Sequence, residues 1–204
     1  RHVSGRLVRT TKSGHSSHPE TMSLDRTKRT LGPAAAVDQY YRRLVGLGIE
    51  LGPAFRGIGE AYRGAGEALA LVELPSSQND DNVVWAHPAL LDGVLQVCGL
   101  ALAEPPDSND LYLLTEIERL ELTKPLPKTL WCHATVRDAA QIRPEAWHLD
   151  LALIEGSGAI VGHVSGASLR RASREVLRAA VAKQVGPADQ TLYRLTWEPV
   201  QPVT

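Results

Sequence analysis

One segment constrains the fold more than any other. Between His87 and Pro105, the residues Leu90, Leu91, Val94, Leu95, Val97, Cys98, Leu100 and Leu102 cover nearly the whole circumference of a helix. A surface helix keeps a polar face, so a helix apolar on all sides has to be enclosed by the rest of the chain. It opens at His87-Pro88, because proline suits the first helical position, where its missing N–H would go unpaired anyway. Pro105-Pro106 end it. No apolar run reaches the roughly 18 residues that a membrane span needs, so the segment reads as a core helix.

What encloses it follows in sequence. Four strands are predicted over residues 112–122, 130–137, 147–154 and 159–169, and the second and third alternate cleanly. Leu130, Cys132, Ala134 and Val136 share one face, with Trp131, His133, Thr135 and Arg137 on the other. Residues 155–158 (EGSG) form a tight turn joining the last two strands into a hairpin. Upstream, residues 67–74 (EALALVEL) read as a strand ended by Pro75 and a polar loop, SSQNDDN. One buried helix against an antiparallel sheet that wraps it is an α+β arrangement, with the shape of a hot-dog fold.

The flanks differ in composition. Residues 1–43 carry 9 basic and 3 acidic residues (net +6), residues 44–172 carry 9 and 17 (net −8), and residues 173–204 carry 4 and 3 (net +1). Residues 1–10 include the strand-like HVSGRLV, and His2-Val3-Ser4-Gly5 recurs as His163-Val164-Ser165-Gly166. If that repeat is real, residues 1–10 are the last strand of an earlier copy of the unit. Residues 11–36 are polar, charged and poor in large apolar side chains, so they are expected to be a linker. Their basic residues meet no aromatics, which argues against a nucleic-acid surface. From 37 the spacing of Val37, Tyr40, Tyr41, Leu44 and Val45 predicts a helix, stopped by Gly46 and Gly48. The core unit runs over 37–171, and 172–204, first helical and charged, is a connector. Cys98 and Cys132 fit no CxxC pattern, and no signal peptide opens the chain, which suits a reducing cytoplasmic setting.

Within the apolar helix, Asp92 and Gln96 lie four apart and so share one face. A carboxyl buried in apolar surroundings tends to keep its proton, which is what a general acid requires. Gln96 could orient it through its amide. The structural alternative is that this face meets solvent or a backbone partner. His15 and His18 on the linker make a poor metal site, and His133, His148 and His163 fall on strands, where satisfied histidines are common. Serine-nucleophile, nucleotide-loop and zinc-protease motifs are absent, and no metal site is expected.

HPALLDGVLQ (87–96), preceded by LGPAFRG (51–57), resembles the C-terminal half of the dehydratase domain of modular polyketide synthases. Those domains are double hot dogs, and the resemblance spans about 37–171. HVSGR at 2–6 is similar to the end of the first hot dog, and LYRLTWEPV at 192–200 to the opening of a following ketoreductase region. The resemblance implies elimination of water from a 3-hydroxyacyl chain on the phosphopantetheine arm of an acyl carrier protein, giving a 2,3-enoyl thioester. A histidine of the first hot dog would remove the α-proton. Asp92 would protonate the leaving hydroxyl, and Gln96 matches the residue that positions it. Gly52, Pro53 and Phe55 match the turn lining the substrate channel, with His87, Pro88 and Leu91 beside it. The implied partners are the carrier protein, the N-terminal hot dog, adjacent synthase domains and a second copy in a homodimer. Neither nucleic acid nor membrane is among them, and the domain would hold no cofactor of its own.

The sequence departs from that pattern in three places. No histidine stands in the HxxxGxxxxP motif that normally holds the base. The tyrosine usual before GPxF is Leu51, and an aromatic strand is replaced by LYLLTEI (111–117). Three readings therefore stay open. The chain is the acid-bearing half of a dehydratase whose base lies elsewhere, or a non-catalytic hot dog used for structure or docking. The third is a related cyclase, pyran synthase or double-bond isomerase.

Overall fold

The computed structural model describes residues 4–6, 8, 20–33, 35–75, 85–102, 111–138 and 144–172. Six strands form one antiparallel sheet: β1 (Ile58–Gly64), β2 (Glu67–Glu73), β3 (Leu111–Leu122), β4 (Thr129–Val136), β5 (Ala146–Ile154) and β6 (Ile160–Ala172). Their order across the sheet is β1-β2-β4-β5-β6-β3. Among the described residues three helices accompany them: α1 (Leu24–Leu31), α2 (Val37–Gly46) and α3 (Pro88–Ala101), with a 3-10 turn at Pro53–Phe55.

The expected enclosure of the apolar helix is present. Leu90, Val94, Val97 and Cys98 of α3 pack with Val72, Leu130, Cys132, Ala134, Leu149, Leu151 and Leu153 in one core. The alternation read in β4 holds: Leu130, Cys132, Ala134 and Val136 all enter that core, and Trp131 faces the other way. Gly93 lets α3 approach closely, since a β-carbon there would sit 2.7 Å from Val72 Cγ1. The helix is not buried on every side, however. Leu91, Asp92, Leu95, Gln96 and Gly99 are only half-buried, so one face of α3 is left for something other than the sheet.

Three features were not read from the sequence. Strand β1 pairs with β2 from Ile58↔Val72 to Gly64↔Glu67; as an edge strand with one solvated face it tolerates the Gly, Glu and Arg that hid it. Helix α1 lies inside the stretch expected to be linker, so at least this part of 11–36 is structured. Ser23 caps it, and Leu31 joins Leu69, Trp131 and Ile154 in a second cluster on the outer face of the sheet. The segment entering α1 is also tied down: Met22 N–H donates to the Gly158 carbonyl (2.8 Å) and Ile160 N–H to that of Glu20 (2.9 Å). In the region expected to be a strand of a preceding copy, the described residues Ser4, Gly5, Arg6 and Val8 are irregular. The expected helix after residue 172 and the closing LYRLTWEPV lie outside the described residues.

Helix α2 stops as its glycines suggest. Gly48 adopts φ 91°, while Gly48 N–H bonds to the Val45 carbonyl and Ile49 N–H to that of Leu44, a Schellman closure. At the other end of the sheet, Leu114, Ile117 and Leu120 of β3 pair with the core residues Leu169, Ala167 and Val164. They thus belong to the core face, yet they are 40%, 36% and 43% exposed. No helix among the described residues is long and apolar enough to cross a membrane.

Candidate active site

The half-open face of α3 carries the polar pair, and both ends of the site are set by local sequence. His87 is the N-cap, its Nδ1 accepting from Ala89 N–H at 3.1 Å, and Pro88 takes the first helical position, exposed. The turn comes from the other side: Pro53–Phe55 winds a single 3-10 turn, closed by Phe55 N–H to the Gly52 carbonyl at 2.9 Å. Arg56 Nε–H braces it by donating to the Leu51 carbonyl at 2.9 Å. Gly57 then passes against β2, where a β-carbon would stand 2.5 Å from the Glu73 carbonyl oxygen.

Gln96 joins these parts. Its Nε2 donates to Asp92 Oδ2 at 2.6 Å and to the Phe55 carbonyl at 2.8 Å. Both amide hydrogens are therefore spent, which fixes which way the amide points. Its Oε1 is buried with no hydrogen-bond partner among the described residues. Gln96 thus meets both a backbone partner, at Phe55, and the Asp92 carboxyl. Asp92 is half-buried, not enclosed. Gly52 and Pro53 are exposed, Phe55 is 42% exposed, and His87 and Leu91 are half-buried.

Sequence reasoning missed the two tyrosines of α2, which it used only as apolar spacing. Tyr40 Oη donates to the Gln96 main-chain carbonyl at 3.0 Å. Tyr41 Oη accepts from Ile58 N–H at 3.1 Å. Burial pushes both phenols above their ordinary range. The signal available was chemical: a tyrosine on a core-facing position needs a partner for its hydroxyl. Next to this corner a cavity of about 420 Å³ is lined by Val37, Asp38, Tyr41, Arg42, Val45 and Arg56, with Ile58 and Gly59. Its lining includes neither Asp92 nor Gln96.

The described histidines are engaged as follows. His87 caps α3. His133 Nε2 meets Glu67 Oε1 at 2.5 Å, His148 Nδ1 meets Ser168 Oγ at 2.9 Å, and His163 Nε2 lies 3.3 Å from Glu20 Oε2. His15 and His18 lie outside the described residues, and among those described no group of three or more His, Cys, Asp or Glu could hold a metal ion.

A carboxyl and an amide side by side on the core helix of a six-stranded antiparallel sheet define a hot-dog protein with an acid–amide pair. A family model described as "Polyketide synthase dehydratase N-terminal domain" matches residues 19–179, and the chain belongs to this polyketide synthase dehydratase family. The description names an N-terminal domain, whereas GPAF and HPALLD resemble the C-terminal half. Mycoketide-CoA synthase of Mycobacterium tuberculosis (strain ATCC 25618 / H37Rv) is 31% identical over 169 residues, 80% of this chain and 4% of that protein. Polyketide synthase PksN of Bacillus subtilis (strain 168) is 28% identical over 164 residues, 80% of this chain and 3% of that protein. The chain thus spans a small part of these curated relatives. The solved dehydratase domain from the CurJ module of curacin polyketide synthase matches with a TM-score of 0.67 and 22% identity, covering 78% of this chain and 57% of that one. A trans-AT polyketide synthase dehydratase domain from Brevibacillus brevis matches with a TM-score of 0.67 and 22% identity, over 76% of this chain and 54% of that one.

Proposed function

We propose that this unit is the acid-bearing, second hot dog of a polyketide synthase dehydratase, acting on a 3-hydroxyacyl group carried by the phosphopantetheine arm of an acyl carrier protein. The observation that carries the reading is the Asp92–Gln96–Phe55 linkage, in which one amide is fixed to a turn of the chain and aimed at a carboxyl. A base from another hot dog takes the C2 proton. The Asp92 carboxyl gives its proton to the 3-hydroxyl, the C3–O bond breaks, the C2=C3 bond forms and water leaves. Gln96 Nε2–H, already aimed at Oδ2, stabilises the carboxylate as it develops.

Two further observations support the reading. The solved dehydratases are nearly twice as long as the part matched here, and the exposed stripe Leu114, Ile117 and Leu120 on edge strand β3 suits a second hot dog of the same polypeptide. The CurK dehydratase is inactive as an aspartate-to-asparagine and as a histidine-to-phenylalanine variant, which fits an aspartate and a histidine sharing the work. The other partners in this reading are adjacent synthase domains and a second copy of the synthase, in the cytoplasm, with no resident cofactor.

The test is turnover of a defined 3-hydroxyacyl carrier-protein substrate by the polypeptide containing both hot dogs. Asp92→Asn is expected to abolish formation of the enoyl thioester. Wild-type turnover by that variant sinks the assignment of Asp92, and a cyclised or isomerised product from the wild type redirects it to a related chemistry.

A second reading, a non-catalytic docking hot dog, is favoured by the engagement of each described histidine in a cap, hydrogen bond or ion pair. No turnover by the complete wild-type polypeptide, with carrier protein still bound, selects it.

A further inference from the structure

We infer that Tyr40 is a positioning residue for the acid, acting through the main chain of Gln96, and that Gly99 is the notch in α3 that admits it. The inference rests on the reading of Asp92 as the acid.

A carbonyl in the middle of a helix already accepts from the residue four further on, but it has a second lone pair. Tyr40 Oη uses it at Gln96, at 3.0 Å. The bare backbone at residue 99 leaves room for this approach: a β-carbon there would lie 2.9 Å from Tyr40 Oη and 3.1 Å from Cε2 and would push the hydroxyl aside. Glycine inside a helix costs about 1 kcal/mol relative to alanine, so α3 gives up stability at a position that leaves room for the hydroxyl on its way to Gln96. Burial raises the Tyr40 phenol above its ordinary range, so the hydroxyl keeps its proton near neutral pH and serves as a donor.

The contact closes a circuit. Tyr40 holds α3 at Gln96, and its neighbour Tyr41 holds the start of β1 by accepting from Ile58 N–H. The two rings lie 5.4 Å apart. The turn between them and α3 supplies the Phe55 carbonyl to the Gln96 amide. Gln96 is therefore fixed by its main chain from α2 and by its side chain from the turn, leaving one direction for the hydrogen that reaches Asp92. Loosening the main-chain anchor lets the amide, and with it the carboxyl, drift from the reacting hydroxyl. Small displacements of this kind are expensive in rate and cheap in binding.

The experiment uses the polypeptide containing both hot dogs, with single-turnover rates, KM and melting temperature measured for Tyr40→Phe, Gly99→Ala, the double variant and Asp92→Asn. Tyr40→Phe keeps the ring and is expected to lower the chemical rate about tenfold while KM stays within about twofold. Gly99→Ala keeps the hydroxyl but displaces it and is expected to do the same. Since both act through one contact, the double variant is expected to be no slower than the slower single. A merely structural role would give additive losses that track the melting temperature. Loss of activity in Asp92→Asn with a wild-type rate in Tyr40→Phe, a raised KM at unchanged rate, or additive losses each overturn the positioning role and leave the acid intact. Activity retained by Asp92→Asn overturns the underlying reading itself. Should Tyr40→Phe fold poorly, Gly99→Ala decides alone, a wild-type rate again overturning the proposal.

Discussion

Lys28 Nζ stands 4.0 Å from the centroid of the Trp131 ring, on the outer face of the sheet. The same ammonium lies 3.4 Å from Glu60 Oε2 and 5.3 Å from the Tyr62 ring, and Trp131 is only 8% exposed. This contact and the packing of Leu31 add to the backbone bonds of Met22 and Glu20 in holding the basic segment before the core unit against the outer face of the sheet. A cation over an indole is worth about 0.5–1 kcal/mol when exposed and about 2 when desolvated. Lys28→Ala is expected to lower unfolding stability by about 1 kcal/mol in urea titration. Lys28→Met keeps the stem that covers the ring and is expected to fall between. Equality of Lys28→Met with the wild type would show that the charge contributes nothing.

Gly93 presents the opposite case, a contact that works by absence. An alanine there gains about 1 kcal/mol of helix propensity but drives its β-carbon to 2.7 Å from Val72 Cγ1. Val72 is fully buried and stiff at χ1, and overpacking of this kind costs about 1–3 kcal/mol. The net expectation is a loss of about 1 kcal/mol, or a fall in melting temperature of about 2–4 °C. Combining Gly93→Ala with Val72→Ala is expected to be less destabilising than the sum of the two. A simple sum would mean that the helix moves away from β2 instead.

The parts of this fold that were legible are those whose signal is local. His87-Pro88 marks the start of α3 because a cap and a first-turn proline act within three residues. The two faces of β4 show because both are covered, Leu130 and Cys132 by α3 and Trp131 by α1. Helix α1 was not legible because LDRTKRTL offers only Leu24 and Leu31 as large apolar residues; what fixes it is the distant Trp131. The site divides the same way. Asp92 and Gln96 meet across one helical turn, so spacing finds them. The partners that fix Gln96, Phe55 and Tyr40, are 41 and 56 residues away, and no periodicity reports a contact of that separation.

Asp150 and Arg137 form a paired bridge across the sheet, at 2.9 Å from Nε and 2.8 Å from an Nη. Asp150 also accepts Gly166 N–H at 3.0 Å, next to the register shift of β5 on β6. The Arg137 hydrogen bonds, and then that N–H, hold the Asp150 carboxyl below its ordinary range. A depressed carboxyl stabilises the fold above its unfolded value of about 3.9 and loses that contribution as pH falls through the native value. Both side chains are well exposed, so screening keeps the effect below about 1 kcal/mol. Asp150→Asn is expected to be slightly less stable at pH 7, with the difference from wild type shrinking as pH falls below the ordinary carboxylate range. A difference independent of pH would assign the loss to packing.

Cys98 and Cys132 are both fully buried and unpaired with each other, and the Cys132 thiol donates to the Val94 carbonyl at 3.7 Å. Burial pushes Cys98 up to about 12 and Cys132 well above its usual value. Only the thiolate attacks disulfide reagents, so neither cysteine is expected to react in the folded protein at pH 8, and labelling waits for an opening of the sheet–helix core. Ellman's reagent should therefore register these two thiols quickly in denaturant and slowly without it, in step with stability measured independently. Below about pH 8 both folded and unfolded chains hold these protons and the linkage is silent. Above the ordinary thiol value of about 8.5 the unfolded chain ionises first, so stability is expected to fall as pH rises. A thiol that reacts rapidly in the native protein at pH 8 would mean that α3 opens from the sheet without global unfolding, on the side of the helix opposite Asp92 and Gln96.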